Sequence, residues 1–246
     1  RFSIFAPGLS DEAHFQAGGF AAKYGGRNAS FIDLRIKEGN KESFTADGTY
    51  DLLGWEVNYD GPSYLSGTTS LLFSARHQDF KKVLELTDKK YMGTPSFSDV
   101  ILKTTTELSP QNKLSFLGIY SPEDFERTPE HVFEAKNGEY DPILRKGNET
   151  KYLLGMNWRY LTGLSSFWEN TFYYQRTDLN YAGGKVYVDP VNGVMPTAAT
   201  AATRPNYFSR DNSDYQFGWK SQFTFSPLAN STIQAGGEMY GVGLDY

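Results

Sequence analysis

The segment from Tyr215 to Phe225 alternates aromatic and polar residues, with a single interruption at Ser221. Successive side chains of an extended strand point to opposite faces. One face therefore collects Tyr215, Phe217, Trp219, Phe223 and Phe225, and the other collects Gln216, Gly218, Lys220, Gln222 and Thr224. A tilted strand of roughly nine to eleven residues crosses the apolar core of a bilayer. This segment therefore fits a position between lipid and water.

The same rhythm recurs along most of the chain. Its clearest second example places Tyr152, Leu154, Met156, Trp158 and Tyr160 on one face, with Lys151, Gly155, Asn157 and Arg159 on the other. Nine strands are predicted, near residues 42–49, 53–60, 68–79, 98–109, 112–121, 150–162, 166–178, 214–226 and 231–244. The pattern predicts an all-β chain. A soluble β-sandwich alternates in the same way, so alternation alone leaves both architectures open.

The connections between the predicted strands favour a membrane barrel. Short connections at 61–67, 109–111, 162–165 and 227–230 interleave with long ones at 80–97, 122–149 and 179–213. Long loops are uncommon in compact soluble domains. Outer-membrane barrels, in contrast, combine short periplasmic turns with long outward loops. All the long connections fall at one end of the strands, which predicts a partial antiparallel transmembrane β-barrel with those loops extracellular.

Composition agrees with membrane strands and excludes several other classes. Aromatic residues make up 16% of the chain, yet mean hydropathy is only -0.52, as expected when strands alternate between lipid and lumen. A net charge of -5 argues against a nucleic-acid partner. The chain has no cysteine, and its three histidines lack metal-ligand spacing. We therefore predict no metal site, no cofactor and no enzymatic activity.

The beginning of the chain carries a family resemblance. A glycine-rich run from Gly18 to Arg27 precedes a strand-like segment from Ser30 to Lys37, and the alternating strands follow. This order resembles the junction between the plug and the barrel of a TonB-dependent outer-membrane receptor. Further similarities are to a tight periplasmic turn, the strand after it and later hairpins of the wall, at residues 59–62, 70–76, 211–214 and 236–238.

The resemblance implies a division of the chain. Residues 1–39 are expected to be the C-terminal part of a luminal plug domain, and residues 40–246 the N-terminal part of the barrel. The barrel part would supply about nine of about 22 strands. The expected plug turn and plug–wall contacts are Gly18, Gly19, Tyr24, Gly25, Gly26, Arg27 and Arg35. The arginines are expected to meet wall carboxylates such as Glu56, Glu107 or Glu238.

The resemblance also implies a function and a location. A protein of this family imports a scarce nutrient across the outer membrane of a Gram-negative bacterium. Its expected partners are outer-membrane lipid, an unidentified nutrient and a TonB-type energy-coupling protein, which would bind an N-terminal segment outside this chain. A surface lipoprotein is a further candidate partner. The alternatives are a soluble or surface-exposed, lectin-like β-sandwich and a passive porin, although the plug-like first 39 residues argue against the porin.

Overall fold

The computed structural model describes residues 8–18, 24, 30–64, 66–128, 131, 143–185, 207–228 and 230–246. These residues are mostly β-strand, which confirms the all-β prediction. The strands are β1 Ser10–Gln16, β2 Phe31–Ile36, β3 Thr45–Tyr50, β4 Gly54–Pro62, β5 Thr69–Asp79, β6 Thr94–Ser109, β7 Asn112–Arg127, β8 Ile143–Gly163, β9 Ser166–Lys185, β10 Tyr207–Leu228 and β11 Ser231–Asp245. The only described helices are α1, Lys81–Leu86, and a 3-10 turn, Lys90–Met92. Neither has the length and apolar character that a membrane-spanning helix needs.

Strands β3 to β11 form one antiparallel sheet of nine strands, in which every strand pairs with its neighbours in sequence. All nine predicted strands are found in this sheet. The short connections are also found where predicted. Ser109 pairs with Asn112 across one tight turn, and Gly163 pairs with Ser166 across another. Tight turns of this kind make consecutive strands antiparallel neighbours.

The strands run further into the long connections than predicted. β6 begins at Thr94, β7 continues to Arg127, β8 begins at Ile143 and β10 begins at Tyr207. The segments 80–97, 122–149 and 179–213, which were predicted as loops, are therefore partly sheet. The extensions carry polar residues on both faces, so they lack the apolar alternation that marks a strand in the sequence. Backbone pairing between neighbouring strands continues through these extensions although the alternation is absent.

The first two strands do not join the large sheet. β1 and β2 form a separate antiparallel hairpin, in which Phe15 lies opposite Ile32 and His14 opposite Asp33. We call this unit the N-terminal hairpin. Within the described residues, β2 pairs with β1 and not with β3.

The largest apolar cluster lies where the N-terminal hairpin meets the large sheet. Leu9, which precedes β1, and Ile36, the last residue of β2, pack with Leu72, Ile101 and Ile119 of β5, β6 and β7. Leu72 and Ile101 each retain only 1% of their accessible surface. The hairpin therefore covers one face of β5 to β7, and the opposite face is left without a protein layer in the described chain.

Candidate functional site

The register of the sheet sorts its side chains onto two faces. Residues paired directly across antiparallel strands share a face. Starting from Phe116, the ladder runs through Met156, Phe172 and Trp219 to Met239. We call the face that carries this row the apolar face, and the opposite one, which carries the N-terminal hairpin, the polar face.

The residues predicted to face lipid all lie on the apolar face. Pairing and alternation place them there together: Tyr152, Leu154, Met156, Trp158, Tyr160, Tyr215, Phe217, Trp219, Phe223 and Phe225. Many of these side chains are exposed among the described residues, with Leu154 61% and Phe217 57% exposed. A contiguous apolar surface across several strands exceeds what a soluble monomer normally exposes. The face is therefore built to meet an apolar partner or a membrane.

Two belts of aromatic residues bound the apolar face. The lower belt, near the short turns, contains Tyr160, Trp168 and Phe223 in one row. The upper belt contains Tyr120 and Tyr152, whose ring centroids are 5.3 Å apart. Tyr152 and Tyr160 are eight positions apart on β8, a span of about 27 Å along the strand at 3.4 Å per residue. The tilted strands of outer-membrane barrels carry an apolar band about 25 Å tall between aromatic girdles.

Above the upper belt, a row of polar residues crosses six of the nine strands on this face, from β5 to β10. The row is formed by Asp79, Ser96, Asp124, Asn148, Asn180 and Asp211. At the other end the strands stop soon after the lower belt, since β8 ends at Gly163. The strands therefore project beyond the apolar band only at the end of the long connections.

The polar face carries a buried ionic network. Arg76 of β5 donates from Nη2 to Oδ2 of Asp99 on β6 at 2.5 Å, and Ser121 Oγ donates to Asp99 Oδ1 at 2.9 Å. The guanidinium of Arg76 also lies 5.3 Å from the ring centroid of Phe97. Arg76 and Asp99 retain 8% and 4% of their accessible surface. A buried charge is tolerated when it is paired and hydrogen-bonded, and this network meets that condition.

Charged contacts hold the end of β2 and the first part of the segment that leads to β3, residues 36–41, which we call the connector. Lys37 Nζ lies 2.9 Å from Asp60 Oδ2, and Lys113 Nζ lies 2.5 Å from Glu38 Oε2. Two more contacts complete the set: Lys41 pairs with Glu107, and Lys103 Nζ donates to the backbone carbonyl of Ile36. The connector is thus held against β4, β6 and β7 by its own two lysines and by two lysines of the sheet.

Glycine at position 39 lets the connector approach β5 closely. A Cβ atom at Gly39 would lie 2.8 Å from the backbone oxygen of Leu71, well inside normal contact. Next to it, the backbone nitrogen of Asn40 donates to Asp60 Oδ1 at 2.8 Å. A larger residue at position 39 would push the connector away from the sheet and lengthen these contacts.

Arg35 does not make the wall contact predicted for it. Its Nη1 lies 3.8 Å from Glu12 Oε2 within the N-terminal hairpin. The wall carboxylates predicted to contact it have different partners: Glu56 accepts from Asn58, Glu107 pairs with Lys41, and Glu238 accepts from Tyr173. The reason is strand geometry: Ile36 is turned towards the sheet and buried, so the preceding side chain points away.

The other residues predicted at the plug turn are only partly described. Tyr24 Oη donates to Asp33 Oδ2 at 2.7 Å, and Lys220 Nζ of β10 lies 6.0 Å from the centroid of the Tyr24 ring. Tyr24 therefore reaches the polar face of the large sheet. Gly18 follows β1, while Gly19, Gly25, Gly26 and Arg27 lie outside the described residues.

Reactive chemistry has little support in the described part of the chain. No group of three or more His, Cys, Asp or Glu side chains among those residues could hold a metal ion. His77 Nδ1 lies 2.8 Å from Ser98 Oγ on the neighbouring strand, and His14 lies beside Glu12. These contacts give the two histidines structural partners within their own sheets.

Comparison with known proteins identifies no family for this chain. No protein-family model matches it, and no curated protein matches it at a significant level. The two faces of the sheet and the position of the N-terminal hairpin are therefore the features that bear on function.

Proposed function

We propose that this chain forms part of the wall and part of the luminal plug of a TonB-dependent outer-membrane receptor and transporter. In this proposal the apolar face meets lipid, the polar face lines the lumen, and the N-terminal hairpin belongs to the plug. The observation that carries the proposal is that the hairpin packs on the polar face, while the aromatic-bounded face opposite has no described protein layer.

The free energy gained by removing the apolar face from water supports the wall assignment. Removing apolar surface from water stabilises a protein by about 25 cal/mol per Å², and a bilayer supplies that stabilisation across the whole face. Inside a bilayer every backbone polar group needs a partner, which a closed antiparallel sheet provides. The proposal therefore places further wall strands against the outer edges of β3 and β11.

The position of the N-terminal hairpin separates this proposal from its rivals. In a soluble β-sandwich the second sheet covers the apolar face of the first, whereas this hairpin packs on the polar face. In a passive porin the wall faces a water-filled channel. Here Leu72, Ile101 and Ile119 make an apolar patch on the polar face beneath the hairpin, so this part of the wall is shaped to hold protein.

The proposed activity is energy-dependent import of a scarce nutrient. In the proposal the long connections lie outside the cell, where a ligand is first met. The extension of the strands past the upper aromatic belt supports this orientation. A TonB-type protein would then act on the plug, and the charged connector contacts would transmit or resist that movement. The proposal assigns no catalytic role to the described residues.

Deletion of the N-terminal hairpin tests the proposal. In the complete protein, removing residues 8–36 in frame should open a pathway through the barrel. Cells should then take up a bulky antibiotic that the intact outer membrane excludes. Barrel assembly is checked separately by the change in gel mobility of the unheated and heated protein.

Two results would contradict different parts of this proposal. An assembled barrel whose deletion leaves antibiotic entry unchanged would contradict the plug assignment. Recovery of the unaltered protein in the soluble periplasmic fraction, with no need for detergent, would contradict the wall assignment and favour the β-sandwich.

A further inference from the structure

A shallow groove crosses the apolar face between the centre of the band and the upper aromatic belt. Its lower part has a volume of about 510 Å³ and is lined by Leu102, Phe116, Leu154 and Phe172 among others. An upper part of about 590 Å³ shares Leu102 and Leu154 and continues to Arg176. The groove is thus apolar along its length and carries the ion pair of Arg176 and Asp178 at its upper end.

A glycine forms the floor where the two parts of the groove join. Gly118 lies in the row between Leu102 and Leu154 and lines both parts. A Cβ atom at Gly118 would meet only Leu154 Cδ2, at an ordinary contact distance of 3.7 Å. A larger residue would therefore fit at position 118 without a clash. The absence of a side chain there leaves the groove open.

The arginine at the end of the groove is unusual for its face. Among the described strands, lysines and arginines lie on the polar face or beyond the band, as Lys146 does, and Arg176 is the single one at the level of the upper belt on the apolar face. It lies between Tyr152 and Tyr215 in its row, with 44% of its side chain exposed. A cation at this level of a membrane protein lies at the depth of the lipid headgroups.

The contacts of Arg176 hold its guanidinium without using all its donors. Nε lies 2.7 Å from Asp178 Oδ1, and Nη2 donates to Ser213 Oγ at 3.3 Å. A guanidinium carries five N–H donors in a rigid fork, so these contacts orient the group and leave donors for an external acceptor.

We propose that this groove binds one acyl chain of an anionic, phosphate-bearing lipid of the outer leaflet, with a headgroup phosphate hydrogen-bonded to Arg176. The inference rests on the proposed wall assignment, which places the groove in lipid. Guanidinium groups bind phosphate through paired, charge-assisted hydrogen bonds. Asp178 partly neutralises the arginine, so most of the affinity comes from the apolar groove and Arg176 sets the headgroup preference.

Lipid titration in detergent tests this proposal. The complete protein in micelles is titrated with phosphatidylglycerol that carries brominated acyl chains, and quenching of tryptophan fluorescence is recorded. Trp219 stacks on Phe172 of the groove at 6.1 Å and reports a bound chain. We expect saturable quenching with one lipid per protein, and binding about fivefold weaker for phosphatidylcholine with the same chains.

Three variants separate the groove from the surrounding surface. Gly118→Leu fills the groove and should weaken binding of both lipids by at least about tenfold. Arg176→Gln should abolish the preference for phosphatidylglycerol and leave chain binding in place. Gly237→Leu is the matched control, because it adds the same side chain to open space on β11 and should change nothing.

The outcomes distinguish failure of the lipid-binding groove from failure of the wall assignment on which it rests. Non-saturable quenching that is equal in all variants would mean only general lipid contact, which overturns the groove site and leaves the wall assignment intact. A dimer in native mass spectrometry that Gly118→Leu disrupts would assign the groove to a second copy and also overturn it. A protein that stays soluble without detergent and shows no quenching would contradict the wall assignment itself.

Discussion

The two faces of the large sheet treat their side chains in opposite ways. The apolar face leaves aliphatic and aromatic groups such as Leu154 and Phe217 open, whereas the polar face buries Arg76 and Asp99 in a paired network. In a water-soluble protein the apolar groups would be the covered ones. The arrangement of this sheet is therefore inverted relative to a water-soluble protein: the apolar groups are the open ones, and the paired charges are the covered ones.

Removing one partner of the buried ion pair should have the largest effect on stability. Asp99→Ala leaves the Arg76 guanidinium buried beside an empty position, so the free energy of unfolding should fall by about 3–5 kcal/mol. Denaturant titration of the complete protein in lipid vesicles measures it. Val100→Ala, at the next position but on the apolar face, should cost less than about 1.5 kcal/mol. Equal costs at both positions would contradict the burial of the network.

Placing a charge on the apolar face should have the next largest effect. Trp219 lies in the central row of the band, so Trp219→Arg should cost about 2–4 kcal/mol of folding free energy in vesicles. Gln222→Arg introduces the same charge on the polar face of the same strand and should change stability by less than about 0.5 kcal/mol. If the two variants fold equally well, the apolar face does not contact lipid.

The connector contacts should have the smallest effect on stability and the clearest effect on the hairpin. Asp60→Asn removes the ion pair with Lys37. Both side chains are partly exposed, so the free energy of unfolding should fall by only about 0.2–1 kcal/mol. Protease cleavage near residues 36–41 should become faster, and the difference from the unaltered protein should shrink at high salt. Asp51→Asn, on the turn between β3 and β4, is the control and should leave cleavage unchanged. An unchanged cleavage rate in Asp60→Asn would show that this ion pair does not hold the connector against the sheet.

The strands and their two faces could be predicted because their signal is local. Between Tyr152 and Tyr160, and again between Tyr215 and Phe225 apart from Ser221, every second residue is apolar, so the face of each side chain follows from its position alone. The extensions of the strands could not be predicted in this way. Near Asn148 both faces are polar, and the strand there depends on pairing with neighbours rather than on any periodic pattern.

The contacts between the hairpin and the sheet were missed for a different reason. Sequence reasoning chose Arg35 because of its charge, but the direction of β2 turns that residue away from the sheet. The lysines that do make contact, Lys103 and Lys113, lie far from the connector in sequence and meet it only through the fold. The closely spaced charges of Lys37, Glu38 and Lys41 were the available signal, and they could not have indicated which strands they meet.

Nitroxide scanning of β10 tests the central claim most directly. The chain has no cysteine, so one spin label can be placed at each position from Tyr215 to Phe225 in the complete protein reconstituted in vesicles. The account predicts that odd-numbered positions are more accessible to oxygen, which concentrates in lipid. Even-numbered positions should favour a water-soluble nickel chelate or be shielded from both reagents. Accessibility to both reagents that is uniform along the strand, or an alternation of the opposite phase, would contradict the assignment of the two faces.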